Sequence, residues 1–144
     1  MSKEAREQAL KFLVSRMRCE REVREHLRKK GHSRADIDDA IDYLYSYEYL
    51  DDLKYCEAFI HDRVQFNPCG RQKLFYDLSQ KGVSRQTAEE ALDTFLPWEE
   101  EQALAERLWQ KKAQQETDPL KIKRYLNGRG FGPDIISSLG DDDW

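Results

Sequence analysis

Cysteine is scarce: Cys19, Cys56 and Cys69 are the only three in 144 residues. An odd number, wide spacing and the lack of any Cys-x-x-Cys exclude a disulfide framework and a zinc ribbon, leaving free thiols in a reducing compartment. Cys19, His26 and His32 can be drawn together as ligands, but their spacing matches no zinc pattern. Apolar residues are thin on the ground, 39% of the chain against 36% charged, which is lean for one thick core and suits a thin helical array. No apolar run approaches the roughly 18 residues of a membrane span. The opening residues Met1-Ser2-Lys3-Glu4-Ala5-Arg6 lead into an amphipathic helix and not a signal peptide. A soluble cytoplasmic protein is the expectation. No segment alternates at period two, so no sheet is predicted. Phosphate loops, nucleophile elbows and persuasive His/carboxylate pairs are missing as well, so no enzyme activity, cofactor or metal is expected. Positive charge is not in excess either. The formal net charge of −4 argues against a binder held mainly by phosphate contacts.

What the chain does have is an internal repeat. Leu27-Arg28-Lys29-Lys30-Gly31-His32-Ser33 recurs as Leu78-Ser79-Gln80-Lys81-Gly82-Val83-Ser84 and again as Leu126-Asn127-Gly128-Arg129-Gly130-Phe131-Gly132. The glycines are 51 and then 48 residues apart, a near-constant period that marks a repeat protein. In each copy a leucine faces the core in the last turn of a helix. A basic residue follows at the helix's negative end. Glycine takes the left-handed position that stops the helix. Ser33 or Ser84 then caps a new helix, and the third copy substitutes Gly132 followed by Pro133 at the first helical position.

The rest of the chain fits this unit. Helix one is predicted over residues 3–17, with Leu10, Leu13, Val14 and Met17 as its apolar stripe. A second helix starts near Cys19, with Glu22 placed as in a capping box, and a third runs from about Arg34 to Tyr47. Asp51 and Asp52 are placed to cap the next helix, which carries Cys56, Phe59, Ile60 and Arg63 on one side. Asn67-Pro68-Cys69-Gly70 breaks it. Glu99, Glu100 and Glu101 favour a helix start after Pro97, and Asp118-Pro119 favours another. The reading is all-α: nine helices in three tandem three-helix repeats, residues 1–50, 51–97 and 98–144, stacked into an elongated, curved array, the last with a short acidic tail at Asp141-Asp142-Asp143.

Basic side chains are the candidates for a partner face. Arg21, Arg24 and Arg28 recur along one side of the second helix, with Lys29 and Lys30 beyond them. Arg63, Arg71, Lys73, Lys81 and Arg129 complete the set. For Arg63 a stem packed on the core with its head paired to a carboxylate is preferred over a direct contact. Asp51 and Asp52 are adjacent, so they point apart on a helix, and capping explains them better than acid–base chemistry. Tyr43, Tyr45, Tyr47 and Tyr49 could stack bases; packing between adjacent repeats is the preferred role.

Together these residues resemble the RecX family of bacterial regulatory proteins. The resemblance runs from about Ala9 to Leu139. It rests on Tyr49-Leu50-Asp51-Asp52, on Tyr55 with Phe59 and Arg63, on Gly70, on Leu78 to Ser84, and on Arg129-Gly130-Phe131. Gly31, Gly82 and Gly130 mark the turns. Glu48 stands where the family usually has glycine, and Asn67-Pro68-Cys69-Gly70 replaces a loop that is usually rich in Lys and Gly. The resemblance implies three-helix repeats lodged in the groove of the RecA recombinase filament, modulating its ATPase and strand exchange. A monomer is expected, with a weak DNA contact within the filament and no membrane partner. The alternative is a helical module acting on DNA directly, since helix–turn–helix units also put a glycine turn between two helices.

Overall fold

The computed structural model describes residues 3–139. The acidic tail lies outside them. Among the described residues there are helices α1 (Lys3–Val14), α2 (Glu20–Lys29), α3 (Arg34–Ser46), α4 (Asp52–Phe66), α5 (Arg71–Gln80), α6 (Arg85–Phe95), α7 (Trp98–Ala113), α8 (Pro119–Gly128) and α9 (Pro133–Ser137), and no strand. None is long and apolar enough to cross a membrane.

The glycine turns form for the reason their sequence suggests. Gly31, Gly82 and Gly130 have φ of 92°, 94° and 91°, a region costly for any residue with a Cβ. The residue after each glycine closes the helix by donating back to the leucine carbonyl. His32 reaches Leu27 at 3.2 Å, Val83 reaches Leu78 at 3.1 Å and Phe131 reaches Leu126 at 3.2 Å. All three leucines are fully buried. Ser33 and Ser84 then cap α3 and α6, accepting from Asp36 N–H at 3.1 Å and Thr87 N–H at 3.2 Å.

The helices pair most heavily within α1–α3, within α4–α6 and within α7–α9. Each group has its own core. The first centres on Val23, Leu27, Ile41 and Leu44, the second on Ile60, Leu74, Leu78 and Leu92, and the third on Leu104, Leu126, Phe131 and Ile135. Burying each such side chain contributes about 1.5–3 kcal/mol. Two residues ignore the grouping. Cys19, at the start of α2, is buried in the second core, and Val64 packs against both the second and the third.

Helix α1 departs from the expectation. It ends at Val14, and Val14 is 84% exposed while Met17 lies beyond the helix, also exposed. The buried positions are Ala5 and Ala9. Small side chains let α1 lie close against α3, its main neighbour in the group. Periodicity weighted by side-chain size finds the larger residues flanking this stripe and misses the alanines in it. Phe12 instead stacks on His26, at 4.0 Å between ring centroids, under the Arg18 guanidinium.

Candidate partner-binding surface

Two seams join the three groups, and they are built alike. At the first, the α2 N-terminus meets the α5–α6 turn. Glu20 N–H donates to Asp52 Oδ1 at 2.8 Å. The Cys19 thiol donates to the Lys81 carbonyl at 3.2 Å. The Arg21 stem covers the turn glycine so closely that a Cβ on Gly82 would sit 1.9 Å from Arg21 Cδ. At the second seam the α5 N-terminus meets the α8–α9 turn. Arg71 N–H donates to Glu101 Oε2 at 3.0 Å. Gly70 N–H donates to the Arg129 carbonyl at 2.8 Å, and Gln72 N–H to the Gly130 carbonyl at 3.2 Å. A Cβ on Gly130 would lie 2.4 Å from Lys73 Cβ. In both, a carboxylate from the next group's first helix satisfies a helix N-terminal N–H that would otherwise be orphaned.

This changes the role of the aspartate pair. Asp51 caps its own helix, accepting from Leu53 N–H at 3.0 Å and Lys54 N–H at 3.2 Å. Asp52 caps α2, in the preceding group. Burial pushes the carboxyls of Asp52 and Glu101 up, and the backbone N–H each accepts offsets this only in part. The thiols are likewise inert. Burial raises Cys19 to about 11 and Cys56 to about 12. The residues once drawn together as ligands serve apart: Cys19 at the seam, His26 under Phe12, and His32 against Gln8 Oε1 at 2.7 Å.

The basic candidates divide sharply. Arg63 reaches Asp77 Oδ2 at 2.7 Å and Cys69 Sγ at 3.4 Å, with its guanidinium over the Phe59 ring. Arg71 pairs with Asp93 at 2.6 Å, and Lys73 with Asp77 at 3.4 Å. Arg129 donates to the Asn67 side chain at 2.7 Å and through Nε to the Pro68 carbonyl at 2.9 Å, with a further bond from Nη2 to Pro68. The atypical Asn67-Pro68-Cys69-Gly70 loop is therefore part of a seam. Arg24 is half-buried between Glu20 and Asp38, both at 2.7 Å, so the uniformly exposed arginine face expected on α2 does not form. Arg21 pairs with Glu25 at 3.4 Å. Arg28, Lys29, Lys30 and Lys81 are exposed and make no ion pair among the described residues. The reason is compositional. Acids outnumber bases along this chain, some lie one turn from a base on the same helix, and packing brings others across from a neighbouring helix.

The tyrosines do not pack between groups as expected. Tyr43, Tyr47 and Tyr49 form a surface cluster, with centroids 4.9 Å apart for Tyr43–Tyr47 and 6.2 Å for Tyr47–Tyr49. Tyr47 is 62% and Tyr49 54% exposed. Only Tyr45 turns to the first seam, donating to Glu20 Oε1 at 2.7 Å. The Glu48 backbone between them holds φ of 59°, the left-handed conformation that glycine would take there. Leu50 is buried in the first core. A second aromatic place lies across the second seam. Phe66, 73% exposed, lines a pocket of about 320 Å³ with Lys111, Lys112, Tyr125 and Arg129, and Lys112 sits 4.7 Å over the Tyr125 ring. The sequence reading missed this pocket, because its residues are individually ordinary. Glu101 was missed too, though it follows Asp52 by about one repeat.

Comparison with known proteins decides the family. The model of the RecX first three-helix domain matches residues 5–44, and that of the RecX second three-helix domain matches residues 51–92. The chain belongs to the RecX family. It is 37% identical over 142 residues to Regulatory protein RecX of Clostridium botulinum (strain Eklund 17B / Type B), covering 93% of this chain and 66% of that protein. It is 33% identical over 141 residues to Regulatory protein RecX of Bacillus velezensis, covering 94% of this chain and 54% of that one. The chain thus spans 66% or less of these relatives' lengths. The crystal structure of RecX from Lactobacillus salivarius superposes with a TM-score of 0.79 at 27% identity, covering 94% of this chain and 91% of that one. A further RecX crystal structure, 20% identical, shares the fold with a TM-score of 0.80 over 96% of this chain and 71% of its own.

Proposed function

We propose that this RecX-family chain is a regulatory protein that binds the RecA recombinase filament and inhibits its ATPase and strand exchange in recombinational DNA repair. Membership of a family whose relatives bear the name Regulatory protein RecX carries the reading. The fold supports it. A filament presents one surface repeatedly along a groove. Three helix groups, taken as repeats over 1–50, 51–97 and 98–144 and held at fixed spacing by two seams, meet it with several weak contacts that gain through effective concentration. The unpaired cations Arg28, Lys30 and Lys81 speed encounter more than they deepen affinity. The chain acts as a monomer in the cytoplasm.

Recombinase ATPase on single-stranded DNA tests this. The full chain is expected to lower it, and residues 1–50 alone to do little. Equal potency of that fragment would overturn the multi-contact mechanism. Reversing Arg28, Lys30 and Lys81 together is expected to slow association at low salt, with the difference fading as salt rises.

One place favours a second reading, direct contact with single-stranded nucleic acid. The pocket between Phe66 and Tyr125 offers two rings and three cations. A steep fall of DNA affinity with salt, in the full chain without recombinase, would move the case to this reading.

A further inference from the structure

The three glycine turns share one backbone geometry, yet only two of them are covered. Each closes with the same hydrogen bond onto the third residue back: Gly31 N–H to Arg28, Gly82 N–H to Ser79 and Gly130 N–H to Asn127, all at 3.0 Å. A Cβ on Gly82 or Gly130 would run into the helix N-terminus seated there, whereas a Cβ on Gly31 would meet nothing within 4 Å. At the two seams the carbonyl before the glycine accepts a donor from that helix N-terminus, the Cys19 thiol on Lys81 and Gly70 N–H on Arg129. Among the described residues, no donor reaches the corresponding Lys30 carbonyl.

We infer that the turn Arg28–His32 is a third copy of this socket, and that it takes the acidic amino end of an α-helix from a protein partner. The helix follows from the two internal examples, in which the amino end of a helix sits over the turn each time and sets a donor on the carbonyl before the glycine, a thiol at the first seam and a backbone N–H at the second. The acidity follows from charge. The open turn carries Arg28, Lys29 and Lys30 in succession, where the covered turns carry Ser79-Gln80-Lys81 and Asn127-Gly128-Arg129. Three exposed cations disfavour the positive end of a helix dipole unless that helix brings carboxylates in its first turn.

A second copy of this chain has no middle helix free to supply the occupant. Its own unseated middle helix is α8, whose N-cap Asp118 already accepts from Leu120 N–H at 3.0 Å and whose first residue is Pro119. Where Glu20 and Arg71 donate an N–H across a seam, Pro119 has none to give. Among the described residues the Gly31 turn is uncovered, and the amino end of α8 does not repeat the seam donor.

The test needs no recombinase, so it stands apart from the reading above. The probe is a side-chain-stapled helical peptide copying residues 67–80, the occupant of the second seam, with Arg71→Glu and Lys73→Glu. A partner peptide carries proline at position 70, removing the N–H that reaches the carbonyl before the turn glycine at the second seam. The full chain, labelled with ¹⁵N, is titrated with each. The acidic peptide is expected to shift the amides of Lys30, Gly31 and His32 saturably, the proline peptide to bind at least about tenfold more weakly, and the K29E/K30E chain likewise at low salt. Unchanged amide spectra away from the turn establish that K29E/K30E is folded. No saturable shift with up to about 1 mM peptide, shifts centred on Tyr47 and Tyr49 instead, or equal binding of the proline peptide would each overturn the inference.

Discussion

The first and second seams do the same job with different atoms. At the first, a thiol and a half-buried aspartate hold a flexible arginine stem over Gly82. At the second, two backbone N–H groups and a buried glutamate hold Gly130 directly against the Lys73 backbone. Position in the repeat is kept while side-chain identity is not. What recurs is an amino end of a middle helix satisfied by a carboxylate of the next group's first helix. Any donor that fits the space will serve. The second seam is the stiffer of the two, because more of its contacts run through backbone that cannot move aside.

Three glycine substitutions test that ranking with one chemistry. Gly130→Ala adds left-handed strain to a clash with the Lys73 backbone and is expected to cost about 3 kcal/mol. Gly82→Ala meets only the Arg21 stem, which can swing into solvent, and is expected to cost about 2 kcal/mol. Gly31→Ala carries the strain alone, about 1 kcal/mol. Denaturant midpoints read all three, and equal losses would show that the seams do not distinguish the turns. Next in size are the shared carboxylates. Glu101→Ala takes a buried partner from Arg71 N–H and is expected to cost about 2 kcal/mol, while Asp52→Ala takes a half-buried one from Glu20 N–H, at about 1 kcal/mol. Calorimetry of the two variants reversing that order would contradict the ranking. Cys19→Ala removes one weak donor and a buried sulfur, for about 1 kcal/mol in thermal unfolding.

The smallest effect concerns pH. Burial raises the carboxyls of Asp52 and Glu101, so the folded chain holds their protons more tightly than the unfolded chain does. Their contribution is therefore full below the unfolded value of about 4 and is lost as pH rises through the folded values. As pH falls from neutral toward about 4, the native chain should gain stability relative to the D52N/E101Q double variant. Asp39, held low by Arg6, has the opposite sign and cancels in this difference. Parallel stability profiles would show that neither carboxyl is perturbed.

Much of the fold was legible from local signals. The turn motif names its own hydrogen bonds, and Ser33, Ser84 and Pro133 mark helix starts within a few residues of the glycines. Position along a helix was less secure where side chains are small, as at Ala5 and Ala9. The seams were illegible for a different reason. Glu20 and Asp52 lie in different groups, as do Arg71 and Glu101, and no local pattern ties a backbone N–H to a carboxylate some thirty residues on. The repeat period held the clue, since Asp52 and Glu101 start equivalent helices. The fate of the cations was hidden in part: the place of Arg63 on an apolar stripe already pointed to a carboxylate partner, found in Asp77, whereas Arg24 looks as free in sequence as Arg28 and only the fold brings Asp38 to it.

Because Asp52 serves α2 and Glu101 serves α5, each group is finished by a residue of the group that follows. A ribosome delivers the chain from its amino end. The first group thus emerges with Glu20 N–H unanswered until α4 begins to appear, and the second waits in the same way for α7. Only the third arrives complete, since Asp118 caps its own helix. Assembly during synthesis then runs as a relay, each stretch of new chain locking the one before it, and a transcript cut short after residue 50 yields a group whose middle helix never receives its cap.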